Sequence, residues 1–304
     1  MILKDFIKRR IIITGANGML GQRLFEFYST LKDVELLASS IESDFVFKNQ
    51  NYIQADITNR NELKKIIYDF CPDFIINAAA YTNVDKSESE RETAWKINVK
   101  GVEYITETAR VLDSHIIHIS SDYIFDGKNG PYTENDTPNP LGYYGRTKLA
   151  SENVLKISGT KNTILRTNVL YGTAKHSRSD FVKWVVESVR AGKEIRIVDD
   201  QINNPTFIDD LVQAINKVIE LRKEGIYNIG GSEVLSRYDF TMIIAEFFNL
   251  DKHLIKKIQT EALNQPARRP LKSGLITIKA QSELGYKPHS IIQSLELMKR
   301  ELGL

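Results

Sequence analysis

The chain has 304 residues, 42% hydrophobic and 26% charged, with a formal net charge of +2, a length that suits one α/β domain carrying a smaller one. Basic and acidic residues are interspersed, which gives no basis for nucleic acid or an anionic membrane surface as partner, and no apolar run approaches the ~20 residues that span a bilayer. The opening MILKDFIKRR lacks the apolar core of a secretory signal, and the single cysteine, Cys71, excludes an internal disulfide, so the expected location is cytoplasmic.

In chain order, Arg10–Thr14 (RIIIT) has buried-strand character and enters Gly15-Ala16-Asn17-Gly18-Met19-Leu20-Gly21. Glycines three apart between a strand and an amphipathic helix (Leu20, Leu24, Phe27) permit a tight turn and close backbone approach. They also leave helix N-terminal N–H groups for a pyrophosphate, so the segment predicts dinucleotide binding. Val34–Ala38 is the second strand. Ala38-Ser39-Ser40 stands where an acid about 20 residues past the glycines would hold the ribose hydroxyls of NAD. Nothing there repels a 2′-phosphate, so the expected cofactor is NADP, with NAD as the alternative and Lys48 or Arg23 as candidate phosphate partners.

Tyr52–Asp56 predicts a third strand, and Asp56-Ile57-Thr58 places a carboxylate where it can meet the adenine amine. Arg60–Phe70 reads as a helix. Asp73–Asn77 is the fourth strand, followed by Ala78-Ala79-Ala80, small enough for a flat cofactor to lie close. The polar loop Tyr81–Glu88 shares that sheet edge. A long helix, Glu90–Leu112, carries Asn98, either a tolerated helix residue or a holder of a lysine–water relay. The β-α-β-α-β alternation predicts an α/β, Rossmann-like doubly wound parallel sheet, whose ligands bind outside the carboxyl ends of the strands.

The apolar run Ile116–Ile119 breaks into Ser120-Ser121, passes through a loop rich in Pro, Gly, Asn and Asp, and restarts as a helix with Tyr144-Gly-Arg-Thr-Lys148. Residues i and i+4 share a helix face, so the phenol and the ammonium can act together, the cation drawing the phenol toward the working pH. Ser121 can hold a substrate oxygen beside them. The spacing alone decides nothing, because about one such pair is expected by chance and this chain has three: Tyr28–Lys32, Tyr144–Lys148 and Tyr171–Lys175. Only Tyr144–Lys148 opens a helix shortly after a strand ending in Ser-Ser. The chemistry it suits is proton transfer at a carbonyl or alcohol oxygen.

Further on, Thr163–Thr167 is a strand, Ser179–Ala191 a helix, Ile195–Val198 a strand entering the loop Asp199–Thr206, Asp209–Leu221 a helix and Gly225–Ile229 a returning strand. The C-terminal third reads as mixed helices and loops (Tyr238–Asn249, Ser290–Glu301). The expected division is a dinucleotide-binding domain over 1–170, with 205–231 returning to it, and an interleaved substrate domain over most of 171–304. No metal site is expected: carboxylates such as Glu88 and Glu90 read as solvated helix-start acids before a cation site at a homodimer contact.

With TGANGMLG at 14–21, DFIINAAAYTNVDKSESE at 73–90, HISSDYIFDG at 118–127, YYGRTK at 143–148, DQINNPTF at 200–207 and ARRP at 267–270, the chain resembles an extended short-chain dehydrogenase/reductase. More narrowly, it resembles the dTDP-4-dehydrorhamnose reductase family. The resemblance implies catalytic Ser121, Tyr144 and Lys148, with Asn98 as a fourth member. It implies cofactor contacts at Gly15, Asn17, Gly18, Met19, Leu20, Gly21, Ser39, Asp56, Ile57, Asn77, Ala78, Ala79, Tyr144 and Lys148. Substrate contacts follow at Thr82, Val84, Lys86, Asp122, Tyr123 and Arg268. The implied activity is reduction of the C4 keto group of a nucleotide-linked 6-deoxy sugar, with NADPH preferred modestly. Departures are Ser121 for the usual Thr, Val169 for a usual Trp near the substrate, and Asn203 for a loop glycine. Related 4,6-dehydratases carry Glu where this chain has Tyr123. The alternatives are another sugar-nucleotide epimerase or reductase, and a non-catalytic subunit like the regulatory subunit of methionine adenosyltransferase.

Overall fold

A computed structural model describes residues 8–48, 50–175 and 180–303. Seven strands form one sheet: β1 (Arg9–Thr14), β2 (Val34–Ser40), β3 (Tyr52–Gln54), β4 (Phe74–Asn77), β5 (His115–Ser121), β6 (Asn162–Thr167) and, much later, β11 (Gly225–Asn228). Their order is β11-β6-β5-β4-β1-β2-β3 and every neighbouring pair is parallel. The chain grows outward from β1 in both directions, so the strand order reverses between β1 and β4. A crevice therefore opens past Thr14 and Asn77, which face each other in register.

The strands are apolar throughout because both faces are covered. Ile11 and Ile13 point into one core, with Leu24, Phe25 and Tyr28 of helix α1 (Met19–Ser29). Ile12 points into the other, with Leu63, Ile66 and Ile67 of α2 (Arg60–Phe70). Tyr28 is thus a core residue, and so is Tyr171, whose hydroxyl shares a hydrogen bond with Ser294 (2.6 Å). Neither of these tyrosines reaches the crevice edge.

The predicted helix Glu90–Leu112 is three pieces: α3 (Arg91–Trp95), a π-helical turn over Lys96–Lys100 and α4 (Gly101–Leu112). The wider turn coincides with Asn98, whose side chain is drawn out of the helix toward a neighbouring loop. Helix α5 (Tyr143–Ile157) carries the Tyr-x-x-x-Lys pair. Helix α6 is described from Phe181 to Arg190, capped by Asp180; the expected start at Ser179 lies outside the described residues.

The remaining strands are short: β7 (Leu170–Tyr171), β8 (Ile195–Val198), β9 (Ile202–Asn203), β10 (Thr206–Phe207), β12 (Leu235–Ser236) and β13 (Ile255–Ile258). Helices α7 (Ile208–Leu221), α8 (Arg237–Phe247), α9 (Ile278–Leu284) and α10 (Ile291–Leu302) complete the chain. The C-terminal third was expected to hold helices and loops, yet β13 pairs with β8 in parallel. Four residues, IKKI, are too few for a sequence pattern to reveal such a pairing. No helix among the described residues is long and apolar enough to cross a membrane.

Candidate active site

Past β1 the backbone turns at Gly15 with φ +72°, and a Cβ there would lie 2.6 Å from Ala79 N. A Cβ on Gly21 would lie 2.2 Å from Gly15 O. These two positions exclude side chains because the glycine loop packs against the loop after β4 and the start of α1. The result is a cavity of about 220 Å³ lined by Gly15, Gly18, Ser40, Asp56, Ile57, Ala78, Ala79 and Glu42, among others. It fits the adenosine side of a dinucleotide, and Ser39 Oγ is buried without a hydrogen-bond partner among the described residues. Met19 and Leu20 form the first turn of α1, Leu20 reaching the core. The Asn17 amide is spent on the loop after β2, donating to Asp44 O (2.9 Å) and accepting from Val46 N (3.2 Å).

Glu42 is a residue the sequence argument missed. It lines this cavity, and its carboxylate accepts from Ser40 Oγ (2.5 Å) and Asn17 Nδ2 (3.3 Å). These bonds hold its carboxyl below the usual range although burial opposes them. An acid was sought at 38–40, about 20 residues past the glycines, but β2 runs on to Ser40 and the acid comes two residues later. Arg23 is not available to a 2′-phosphate, because Asp209 and Glu301 bind its guanidinium. The cavity's lining includes no lysine or arginine.

Ser121 ends β5, donating to Asp122 Oδ1 (3.0 Å) and accepting from Tyr123 N (3.2 Å). The Tyr144 ring meets Tyr123 edge-on, centroids 5.7 Å apart. That approach depends on Gly145, where a Cβ would lie 2.1 Å from Tyr123 O. Burial pushes the Tyr144 phenol well above the ordinary tyrosine range, the Asp122 charge adds to this, and the hydrogen bond with Ser121 works against it. The expected drawing down of the phenol by Lys148 is not seen: lost solvation dominates, and Lys148 is not among the groups that act on it.

Lys148 is buried, and burial pushes its ammonium down to about 8, with Glu152 opposing. A hydrogen-bond chain lies behind it. Thr14 Oγ1 donates to Asn77 Oδ1 (2.8 Å), which turns the Asn77 amide nitrogen toward His118 Nδ1 (3.2 Å). His118 Nδ1 then accepts, and Nε2 donates to Ser151 Oγ (3.0 Å), which itself donates to Lys148 O (2.7 Å). Burial, and then Lys148, hold His118 far below its usual range, so it is neutral. Lys148 Nζ stands 3.5 Å from a nitrogen already carrying a proton, which leaves its own protons for a ligand. The Asn77 side chain belongs to this chain and does not face the cavity.

Asn98 reaches neither Lys148 Nζ nor the cavity. Its amide accepts from Tyr81 N (2.8 Å) and donates to Tyr81 O (3.1 Å) and Thr147 Oγ1 (2.9 Å). It ties the loop after β4 to α5, a positioning contact. Thr82 is exposed and Val84 half-buried on that loop. Lys86 is exposed and paired with Glu90 (3.8 Å), while Glu88 accepts from Tyr143 N (2.7 Å) at the start of α5. Asp122 is buried, accepts from Ser273 Oγ (2.6 Å), and is pushed up to about 6 by burial. The two C-terminal arginines differ. Arg269 is half-buried and pairs with Asp85 (2.8 Å), whereas Arg268 is exposed; both line a cleft of about 1040 Å³ with Asp200, Gln265 and Lys272. Among the described residues no three His, Cys, Asp or Glu side chains gather as a metal site.

A family model described as RmlD substrate binding domain matches residues 9–303. The chain belongs to this family. It is 36% identical over 291 residues to the dTDP-4-dehydrorhamnose reductase of Aggregatibacter actinomycetemcomitans, covering 92% of this chain and 94% of that one. The structure of the dTDP-4-dehydrorhamnose reductase from Bacillus anthracis in complex with NADP matches with a TM-score of 0.86 at 31% identity, covering 97% of this chain and 99% of that one. Methionine adenosyltransferase 2 subunit beta of Bos taurus is 30% identical over 268 residues, covering 86% of this chain and 78% of its own. RmlD family membership and the Rossmann-like sheet agree with the resemblance read from the motifs.

Proposed function

We propose that the chain is an NAD(P)H-dependent reductase acting on the C4 keto group of a nucleotide-linked 6-deoxy sugar. The observation that carries the reading is the hydrogen bond between Ser121, at the carboxyl end of β5, and Tyr144 of α5, with Lys148 buried one turn further along the same helix. In this reading residues 1–170 and 205–231 hold the dinucleotide and the rest of 171–304 covers the sugar. Gly15, Gly18, Gly21, Ser39, Asp56, Ile57, Ala78 and Ala79 hold the cofactor, which when bound supplies hydride to the carbonyl carbon.

Ser121 donates to the carbonyl oxygen, and Tyr144 gives its proton to that oxygen as negative charge develops there. A phenol held above its ordinary range still serves, because an alkoxide is the stronger base. Lys148, charged below about pH 8, offers its protons to the ligand and stabilises the tyrosinate left behind. Cofactor choice follows the cavity: NADPH, as bound by the Bacillus anthracis relative, is preferred only modestly, because the Glu42 carboxylate opposes its 2′-phosphate.

The test is oxidation of NADPH and NADH against a panel of nucleotide-linked ketosugars. Turnover by the wild type and none by Tyr144→Phe is the expected result; no turnover of any ketosugar would favour a regulatory role, as in the subunit beta relative. Dehydration of dTDP-glucose is not expected, because Tyr123, pushed up by burial, is a poor base.

A further inference from the structure

Ser121 has one proton and two claims on it. The reductase reading needs that proton at the carbonyl oxygen. In the structure Ser121 Oγ accepts from Tyr123 N (3.2 Å) and donates to Asp122 Oδ1 (3.0 Å), so the proton is already engaged. In its hydrogen bond with Tyr144 the phenol is then the donor. Before Ser121 can serve a carbonyl it must turn away from Asp122. Asp122 is 2% exposed, and a buried carboxylate left without donors is strongly disfavoured.

A second hydroxyl answers that demand. Ser273 Oγ donates to Asp122 Oδ2 at 2.6 Å, closer than Ser121, and Ser273 is itself 2% exposed. Its place is set from both sides. Ser273 N donates to Ile202 O (2.9 Å) and Ile202 N to Leu271 O (2.6 Å). Lys272 N donates to Gly127 O (3.0 Å) and Tyr132 N to Gly274 O (2.7 Å). The close approach needs glycine at 127, with φ +72°, where a Cβ would lie 2.5 Å from Leu271 N. Residues 271–274 are therefore a strap clamped between the loop after β5 and β9, with the Ser273 hydroxyl held on Asp122. Leu271 and Lys272 line the cleft that holds Arg268 and Arg269, so a ligand in that cleft touches the strap next to Ser273.

We propose that Ser273 is a positioning residue: by keeping the Asp122 carboxylate hydrogen-bonded, it lets the Ser121 hydroxyl turn from Asp122 to the carbonyl oxygen. The assignment rests on the reductase reading above. It also moves Asp122 from sugar contact to partner of Ser121. Asp122 Oδ1 is where the Ser121 proton rests, and Oδ2 stays with Ser273 throughout. No proton is transferred to or from Asp122; only the Ser121 hydroxyl changes its acceptor. Without the Ser273 hydroxyl, the carboxylate's need for a donor falls on Ser121 and holds it back from the substrate.

The experiment measures ketosugar reduction by the wild type, Ser273→Ala, Ser273→Cys, Asp122→Asn and the double variant Asp122→Asn/Ser273→Ala, with melting temperature and NADPH affinity as controls. Expected for Ser273→Ala is a kcat lower by roughly ten-fold, with ketosugar KM and NADPH affinity within about three-fold. Ser273→Cys, which keeps a weaker donor, should fall between the two. In the Asp122→Asn background, where no carboxylate competes for the Ser121 proton, Ser273→Ala should lower kcat by less than about two-fold further. A contact that only staples the strap to β5 would give the same loss in both backgrounds. That result, or wild-type kcat in Ser273→Ala, overturns the assignment and leaves the reductase reading standing. A wild type that reduces no ketosugar overturns the reductase reading and this assignment with it.

Discussion

The two walls of the crevice are built differently. On the dinucleotide side the parts are contiguous: the glycine loop follows β1, the three alanines follow β4, and Ser121 ends β5. On the substrate side they come from far apart, with Asp85 bound to Arg269, Asp122 to Ser273 and Ser273 N to Ile202 O. A parallel sheet delivers every strand's carboxyl end to one edge, so short motifs suffice there. The opposite wall exists only once tertiary contacts close it, and its residues carry no local signature.

The sharpest break in this comparison is Tyr144→Phe. Loss of the proton donor should lower kcat by roughly 10²- to 10⁴-fold with cofactor affinity within a few-fold. Tyr171→Phe and Tyr28→Phe, which alter the core, should change melting temperature and leave kcat near wild type. Loss of activity in Tyr171→Phe equal to that in Tyr144→Phe would mean that the wrong Tyr-x-x-x-Lys pair has been placed at the crevice.

Next in size is the pH dependence of Lys148. Its folded pKa lies near 8, below the lysine value of 10.5, because burial disfavours the cation. The charged form therefore prevails below about 8 and is lost above it, so kcat/KM should fall as pH rises through that value. Lys148→Arg stays charged over the whole range, so its lower activity should show no such descent. A wild-type profile flat to pH 10 would show that the ammonium is not required.

Most of the fold was legible because long strands and helices repeat at their own periods, and Arg60–Phe70 and Ile195–Val198 fall where the pattern puts them. The strands β7, β9, β10 and β12 have two residues each, too short to leave a period. Of the proposed site, Ser121, Tyr144 and Lys148 are the residues that strand-then-helix context singles out in the sequence. The positioning use of Asn98 and Asn77 was not legible, since their partners Thr147 and His118 lie 49 and 41 residues away.

A smaller effect tests how the two walls are joined. Asp85 sits on the loop after β4, and Arg269 on the C-terminal segment. A double-mutant cycle with Asp85→Asn and Arg269→Gln should show a coupling of about 1 kcal/mol in stability, given a partly exposed pair. The single changes should raise ketosugar KM more than cofactor KM. Coupling near zero would mean that the cleft is closed by the Asp122–Ser273 contact alone.

The smallest expected effect lies wholly on the dinucleotide side, and it concerns a residue that the motif reading passed over. The Glu42 carboxylate sits in the cavity that would take the adenosine ribose, fixed by Ser40 and Asn17. It stays ionised at neutral pH because those bonds hold its carboxyl below the usual range. A ribose hydroxyl can donate to that carboxylate, whereas a 2′-phosphate meets like charge there. Glu42 is exposed, so water screens the repulsion, and the penalty is roughly three- to ten-fold in affinity. Glu42→Ala should shift the NADPH-to-NADH ratio of kcat/KM toward NADPH by that factor, and the shift should shrink as salt is raised. Glu42→Gln separates charge from hydrogen bonding: the amide keeps an acceptor for the ribose, so NADH should lose little while NADPH gains. An unchanged ratio in both variants would show that the loop after β2 does not read the ribose, and that selectivity lies instead with Ser39, whose buried hydroxyl has no partner among the described residues.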